Sequence, residues 1–189
     1  MIRIAIFASG AGSNAKNIIN HFDKKQDGIT VSLVVCNKAG AGVLGIAEEN
    51  NIPTILLDKE KFFHGNGYVD ELKAAGIGLI VLAGFLWKIP LCLVKNYHKK
   101  MINIHPALLP KYGGKGMYGR FVHEAVLANK ETESGISIHY VDEVYDNGQI
   151  ILQATCFIDE NETPETLANK VQVLEHRHFP AAVALLATL

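Results

Sequence analysis

A chain of 189 residues, 49% apolar and 20% charged, has the length and make-up of one globular domain, 1–189, with a sizeable core. Eighteen basic residues against nineteen acidic ones leave a formal charge of −1, so no broad positive field exists to gather DNA or RNA. Three widely spaced cysteines (Cys36, Cys92, Cys156) fit reduced thiols of a cytoplasmic protein better than a disulfide framework or a zinc site.

Arg3 to Ala8 is a short apolar run of strand type, ending in the small-residue loop Ser9-Gly10-Ala11-Gly12-Ser13-Asn14. Met1 to Phe7 lacks the apolar core and cleavage site of a signal peptide, and no apolar run in the chain reaches membrane-spanning length. A helix follows, with Ile18, Ile19 and Phe22 at helical spacing. Ile29 to Val35 predicts a second strand, Val43 to Glu49 a second helix and Pro53 to Leu57 a third strand. Lys59 to Gly67 reads as a charged loop and Tyr68 to Ala75 as a helix. Leu79 to Ala83 is a fourth strand, Pro90 opens another helix, and Met101 to His105 is a fifth strand. Beyond Pro110, the glycine-rich segment Lys111 to Arg120 is expected to be a mobile loop, followed by a helix over Phe121 to Ala128. Gly135 to Val141 alternates like a half-buried strand. Ile150 to Phe157 follows a turn at Asn147-Gly148, and a helix runs from Thr163 to about Glu175, with more helix after Pro180. Strand–helix alternation of this kind predicts an α/β fold: a mostly parallel sheet, helices on both faces, and an antiparallel C-terminal extension.

The densest chemical signal is Asn103-Ile104-His105-Pro106-Ala107-Leu108-Leu109-Pro110. Residues two apart on a strand share a face, so Asn103 and His105 aim at one point, and Pro106 ends the ladder just beyond them. Ligands of open α/β sheets sit outside the carboxyl ends of the strands. A neutral donor beside a titratable ring at that edge suits stabilisation of an oxyanion together with proton transfer. The loop Gly10 to Asn14, between a strand and a helix, suits an anion at exposed amides, although Ser13 or Asn14 as a helix cap explains it equally. Asp142 to Gly148 is an acidic turn whose residues are ordinary turn formers, with Asp146 a carboxylate available to orient an imidazole. His176 and His178 are two apart on a helix and do not share a face, so no metal site is expected. His21, His64, His98 and His123 read as surface residues.

Gly12-Ser13-Asn14, the Asn103-to-Pro110 motif and Asp146-x-Gly148 together make the chain resemble the folate-dependent formyltransferase family, most closely the branch acting on phosphoribosylglycinamide. The resemblance implies a Rossmann-like formyltransferase fold and transfer of a formyl group from 10-formyltetrahydrofolate, as co-substrate, to the amine of 5-phosphoribosylglycinamide in purine biosynthesis. It implies that Asn103, His105 and Asp146 are catalytic: Asn103 donates to the formyl oxygen, a protonated His105 shares that task and protonates the leaving nitrogen, and Asp146 supports the imidazole and deprotonates the amine. It further implies that Gly12, Ser13 and Asn14 hold the ribose phosphate and that Gln172, Val173, Leu174 and Glu175 meet the ribose and glycinamide. The folate would lie against Leu86, Trp87, Lys88, Ile89, Met101, Asn103 and Val141. Partners would be these small molecules alone, with no metal, nucleic acid or membrane. Formyl transfer to another amine, such as an amino sugar, and a non-catalytic folate- or nucleotide-binding module stand as alternatives. The chain departs from the family in Gly113-Gly114-Lys115-Gly116-Met117-Tyr118-Gly119, where a proline-glycine and a histidine-bearing helix start are usual, in Trp87, and near Glu60.

Overall fold

The computed structural model describes residues 1–23 and 28–188. Its sheet has seven strands in the order β3-β2-β1-β4-β5-β6-β7. These are β1 (Ile2–Ala8), β2 (Ile29–Cys36), β3 (Thr54–Leu56), β4 (Ile77–Leu82), β5 (Met101–His105), β6 (Glu133–Tyr140) and β7 (Ile150–Phe157). The first five are parallel, while β6 runs antiparallel to β5 and β7 antiparallel to β6. The order reverses between β1 and β4, and at such a switch point the loops leaving neighbouring strands part to opposite faces and open a crevice.

Alternation along the strands divides the core into two layers. Ile4, Ile6, Val81, Ile102 and Ile104 face one side, against α1 (Ser13–Asp23), α2 (Gly42–Glu49), α6 (Arg120–Ala128) and α7 (Pro164–Ala187). Ala5, Phe7, Val35, Ile80, Leu82 and Met101 face the other, against α3 (Lys59–His64), α4 (Val69–Ala74) and α5 (Leu91–Asn96). On β5 the second face carries Met101, Asn103 and His105 in succession. Met101 lies within the apolar layer, and the next two reach past its edge into the crevice.

Four local expectations are corrected. The Lys59-to-Gly67 segment is mostly helix, because the Asp58 carboxylate accepts the Lys61 amide at 2.8 Å as an N-cap and Phe62 is fully buried. Strand β6 is buried on both faces, since α7 covers one side and the turn after β5 the other. His123 is not on the surface: α6 turns it inward beside Val122 and Val126, and it is 4% exposed. Helix α7 runs unbroken through Pro180, which cannot donate to the carbonyl of His176. Asn17 Nδ2 donates to that carbonyl at 2.7 Å, supplying from α1 the hydrogen bond that proline removes. Among the described residues, no helix is long and apolar enough to cross a membrane.

Candidate active site

A cavity of about 740 Å³ opens at the switch point, over the carboxyl ends of β1, β4 and β5. At one end lies the loop from β1 to α1. Gly12 has φ +84, and a Cβ there would stand 2.9 Å from Val43 Cβ, so glycine alone lets this loop sit against α2. Lys16 N donates to Gly12 O at 2.8 Å, starting the helical ladder above Ser13 and Asn14. The first-turn amides of α1 therefore have no intrahelical acceptor, an arrangement that suits an anion at the positive end of the helix dipole.

Helix α7 closes this end. Ala168, Val171, Gln172 and Glu175 line the cavity at positions i, i+3, i+4 and i+7, one stripe of the helix. Gln172 Nε2 donates to Ser13 Oγ at 3.2 Å, and Asn14 Nδ2 donates to Glu175 Oε2 at 2.8 Å. Burial pushes the Glu175 carboxyl above its ordinary value, and the Asn14 bond only partly opposes this. Val173 and Leu174 fall off the stripe and do not reach the cavity; Val173 is 66% exposed.

The other end is apolar for the most part, with charged residues among its lining. Leu86, Trp87, Lys88, Ile89 and Val141 line it, and Trp87 leans on Phe62 and Phe63 with ring centroids 5.6 and 5.3 Å away. Ser9, a buried residue that no motif singles out, accepts the Leu86 amide at 2.9 Å and ties the exits of β1 and β4 together. Met101 does not join this wall. It lies one strand pair below Asn103 and is 1% exposed within the core.

Between the two ends stand the groups suited to chemistry. His105 is 3% exposed; its Nε2 lies 2.7 Å from Tyr112 O and its Nδ1 3.6 Å from Asp146 Oδ2. Burial pushes the ring below its ordinary pKa, against the upward pull of Asp146 and the Tyr112 carbonyl. Asp146 adopts a left-handed backbone (φ +52), which an aspartate tolerates and which brings its carboxylate inward from the β6–β7 turn. Its Oδ2 accepts the Gly114 amide at 2.9 Å. Burial alone would raise the Asp146 pKa, but His139, His105 and the Gly114 amide together hold it below the usual carboxylate range.

Reasoning from sequence missed His139 and His123. His139 is the register partner of Asn103 across β5 and β6, and its Nε2 lies 3.1 Å from Asn103 Nδ2 and 3.6 Å from Asp146 Oδ1. Its Nδ1 lies 2.8 Å from Tyr140 O, an acceptor, so that nitrogen carries a proton and Nε2 is the one turned toward Asn103 and Asp146. In sequence His139 falls in phase with Ser137, on what reads as the polar face of a half-buried strand, so the pattern carries no signal for it. His123 lines the same cavity, and burial followed by repulsion from His105 pushes its pKa down.

Asn103, His105, Asp146 and His139 thus form one connected polar cluster in the middle of the cavity. It offers amide and imidazole donors for an oxyanion and an ionised carboxylate for proton traffic, and no nucleophilic side chain is needed. Among the described residues, no three His, Cys, Asp or Glu side chains are grouped to hold a metal ion.

Comparison with known proteins identifies the family. The formyl transferase family model matches residues 2–183. The chain is 40% identical over 186 residues to the chloroplastic phosphoribosylglycinamide formyltransferase of Arabidopsis thaliana, covering 96% of this chain but 64% of that protein, less than two thirds of its length. It is 34% identical to the phosphoribosylglycinamide formyltransferase of Bacillus subtilis, covering all of this chain and 96% of that one. The crystal structure of glycinamide ribonucleotide transformylase 1 from Geobacillus kaustophilus superposes with a TM-score of 0.90 at 32% identity over 99% of each chain. By sequence and by fold, the chain belongs to the formyl transferase family.

Proposed function

We propose that the protein transfers a formyl group from 10-formyltetrahydrofolate to the amine of 5-phosphoribosylglycinamide, a step of purine biosynthesis, and does so within one domain. The observation that carries this reading is the convergence of Asn103, His105 and Asp146 midway between an anion-binding loop at Gly12 and an apolar, Trp87-lined chamber. The ribose phosphate is held at the amides of Gly12, Ser13 and Asn14. Gln172 and Glu175 face the ribose, and the pterin lies against Trp87, Ile89 and Val141.

The amine lone pair attacks the formyl carbon and a C–N bond forms, while the carbonyl electron pair moves onto oxygen. Asn103 and a protonated Nδ1 of His105 donate to that oxyanion. The ring is held neutral before reaction, so the developing negative charge is what makes its protonation favourable. Asp146, ionised and facing the imidazole, takes the proton that the attacking nitrogen loses, directly or through water, and passes it to Nδ1 of His105, which is the proton that ring donates to the oxyanion. The oxyanion then collapses, the bond to the folate nitrogen breaks, and His105 supplies the proton that this nitrogen acquires. Small-molecule substrates are sufficient for this chemistry, and a cytoplasmic setting with reduced thiols fits it.

The test is formyl transfer by purified protein given both substrates, with both products followed. Equal amounts of tetrahydrofolate and formylated ribonucleotide, lost together in His105→Ala, are expected. Folate turnover without formylated ribonucleotide would assign another acceptor or water. No turnover by folded protein would leave a binding module.

A further inference from the structure

His105 opens a turn whose far end comes back to hold the same residue: the carbonyl of Tyr112 accepts from His105 Nε2 at 2.7 Å. A backbone carbonyl is only as well placed as the turn that carries it, and this turn is fastened from outside the catalytic cluster. Ser137, fully buried on β6 and in register with His105, accepts the Leu109 amide at 2.9 Å and donates to Ala107 O at 2.7 Å. Gln153, opposite Ser137 on β7, donates from Nε2 to Ser137 Oγ at 2.8 Å and to Leu109 O at 3.0 Å. The Ser137 hydroxyl thereby uses its one donor and both acceptor sites. At the other end, Glu131 Oε1 accepts Lys111 Nζ and Tyr112 Oη, each at 2.8 Å.

We propose that Ser137, Gln153 and Glu131 are positioning residues that set the tautomer and orientation of His105 by clamping the turn from Pro106 to Tyr112. While the turn is clamped, the Tyr112 carbonyl keeps a proton on Nε2 and leaves Nδ1 as the nitrogen that gains and loses one, facing Asp146 and the cavity. Once it is loosened, Nε2 loses its acceptor and the proton shifts to Nδ1, drawn by the Asp146 carboxylate. Asp146, His139 and His123 are the titratable groups around the ring, and none of them touches the clamp through a hydrogen bond. The inference rests on the proposed formyl transfer for its kinetic consequence, while the tautomer can be read without turnover.

The experiment compares the full chain with Gln153→Met, Ser137→Ala, Glu131→Ala and Glu131→Gln. Imidazole ¹⁵N NMR reports the His105 tautomer, and kcat, both KM values and the pH profile of kcat are measured separately. Expected are an Nε2–H ring in the parent and a mixed or Nδ1–H ring in Gln153→Met and Ser137→Ala. A small displacement of a catalytic group is enough to slow kcat by roughly tenfold to a hundredfold. The KM values should stay within about twofold and the acid limb of the kcat profile should move, since the change lies in geometry at the reacting atoms and not in substrate binding. Glu131→Gln, which keeps an acceptor, should recover most of what Glu131→Ala loses. Folded Gln153→Met with the parent's tautomer, kcat and pH profile would overturn the proposal. Its side chain lies on an exposed face of β7, so this variant decides the matter even where Ser137→Ala fails to fold. A parent chain without formyl transfer would overturn the proposed function, and the tautomer comparison would still decide the clamp.

Discussion

Asn103 and His139 sit opposite each other across β5 and β6, with Nδ2 of the amide 3.1 Å from Nε2 of the ring. Tyr140 O occupies the other ring nitrogen, so Nε2 is the one that faces the Asn103 NH₂ group. The second amide hydrogen is left for Asp146 Oδ1 at 3.4 Å, a long contact that a better acceptor in the cavity can displace. His139 thus keeps the amide facing with its donors inward.

Asn103→Ala is expected to lower kcat by about 100- to 1,000-fold, the usual consequence of removing one oxyanion donor. Folate and ribonucleotide affinities should change little, because the donor matters most once charge has developed. Steady-state kinetics combined with equilibrium binding of each substrate checks this. A parallel loss of binding would make Asn103 a ground-state contact.

Gly12→Ala tests the anion loop. The new methyl would meet Val43 Cβ at 2.9 Å and Val43 Cα at 3.0 Å, in a backbone conformation that side chains rarely adopt. Strain of that kind costs about 1–3 kcal/mol. Urea unfolding should show the loss, and KM for the phosphorylated substrate should rise well above any change in KM for the folate.

How much of this was legible from sequence divides along physical lines. Strand–helix alternation carries the architecture, because each periodicity follows from local geometry, and the pair Asn103 and His105 is local in the same sense. Pairing Asp146 with His105 is not local: it depends on β6 running antiparallel beside β5 and on a left-handed aspartate. His123 reads as a surface residue and His139 as part of the polar face of a half-buried strand, and only packing from other elements, which is not local, turns both inward. Pro180 misled for a similar reason. A proline normally ends a helix, and the partner that lets this one continue, Asn17, lies on another helix.

Burial pushes both His105 and His123 below the ordinary histidine value of 6.5, so these rings are neutral in the fold where the unfolded chain binds protons. Stability therefore falls as pH drops below about 6.5 and keeps falling until the folded rings themselves protonate. Asp146 has the opposite chemistry and the same outcome at lower pH. Its folded pKa is depressed, so its contribution is complete above the unfolded value and is lost as pH falls through the folded one. In His123→Gln the decline in Tm between pH 6.5 and 5 should be shallower than in the parent, with little difference in slope above pH 7.5. Equal slopes in the two proteins would mean that His123 titrates alike in the folded and unfolded chains.

The bond from Asn17 to the His176 carbonyl makes a prediction about two residues at once. In the parent, position 180 has no N–H, so Asn17→Ala leaves a part-buried carbonyl without its partner, a loss of about 1–3 kcal/mol. Pro180→Ala restores an amide one helical turn below, and that amide can take the same carbonyl. Asn17→Ala should then cost much less in the Pro180→Ala background, giving a coupling free energy on the order of 1 kcal/mol in a double-mutant cycle followed by urea unfolding. Additive effects would show that the carbonyl finds water when Asn17 is removed. Coupling would show that α1 is fastened to α7 by the hydrogen bond that Pro180 leaves open, beside Glu175 and one turn from Gln172.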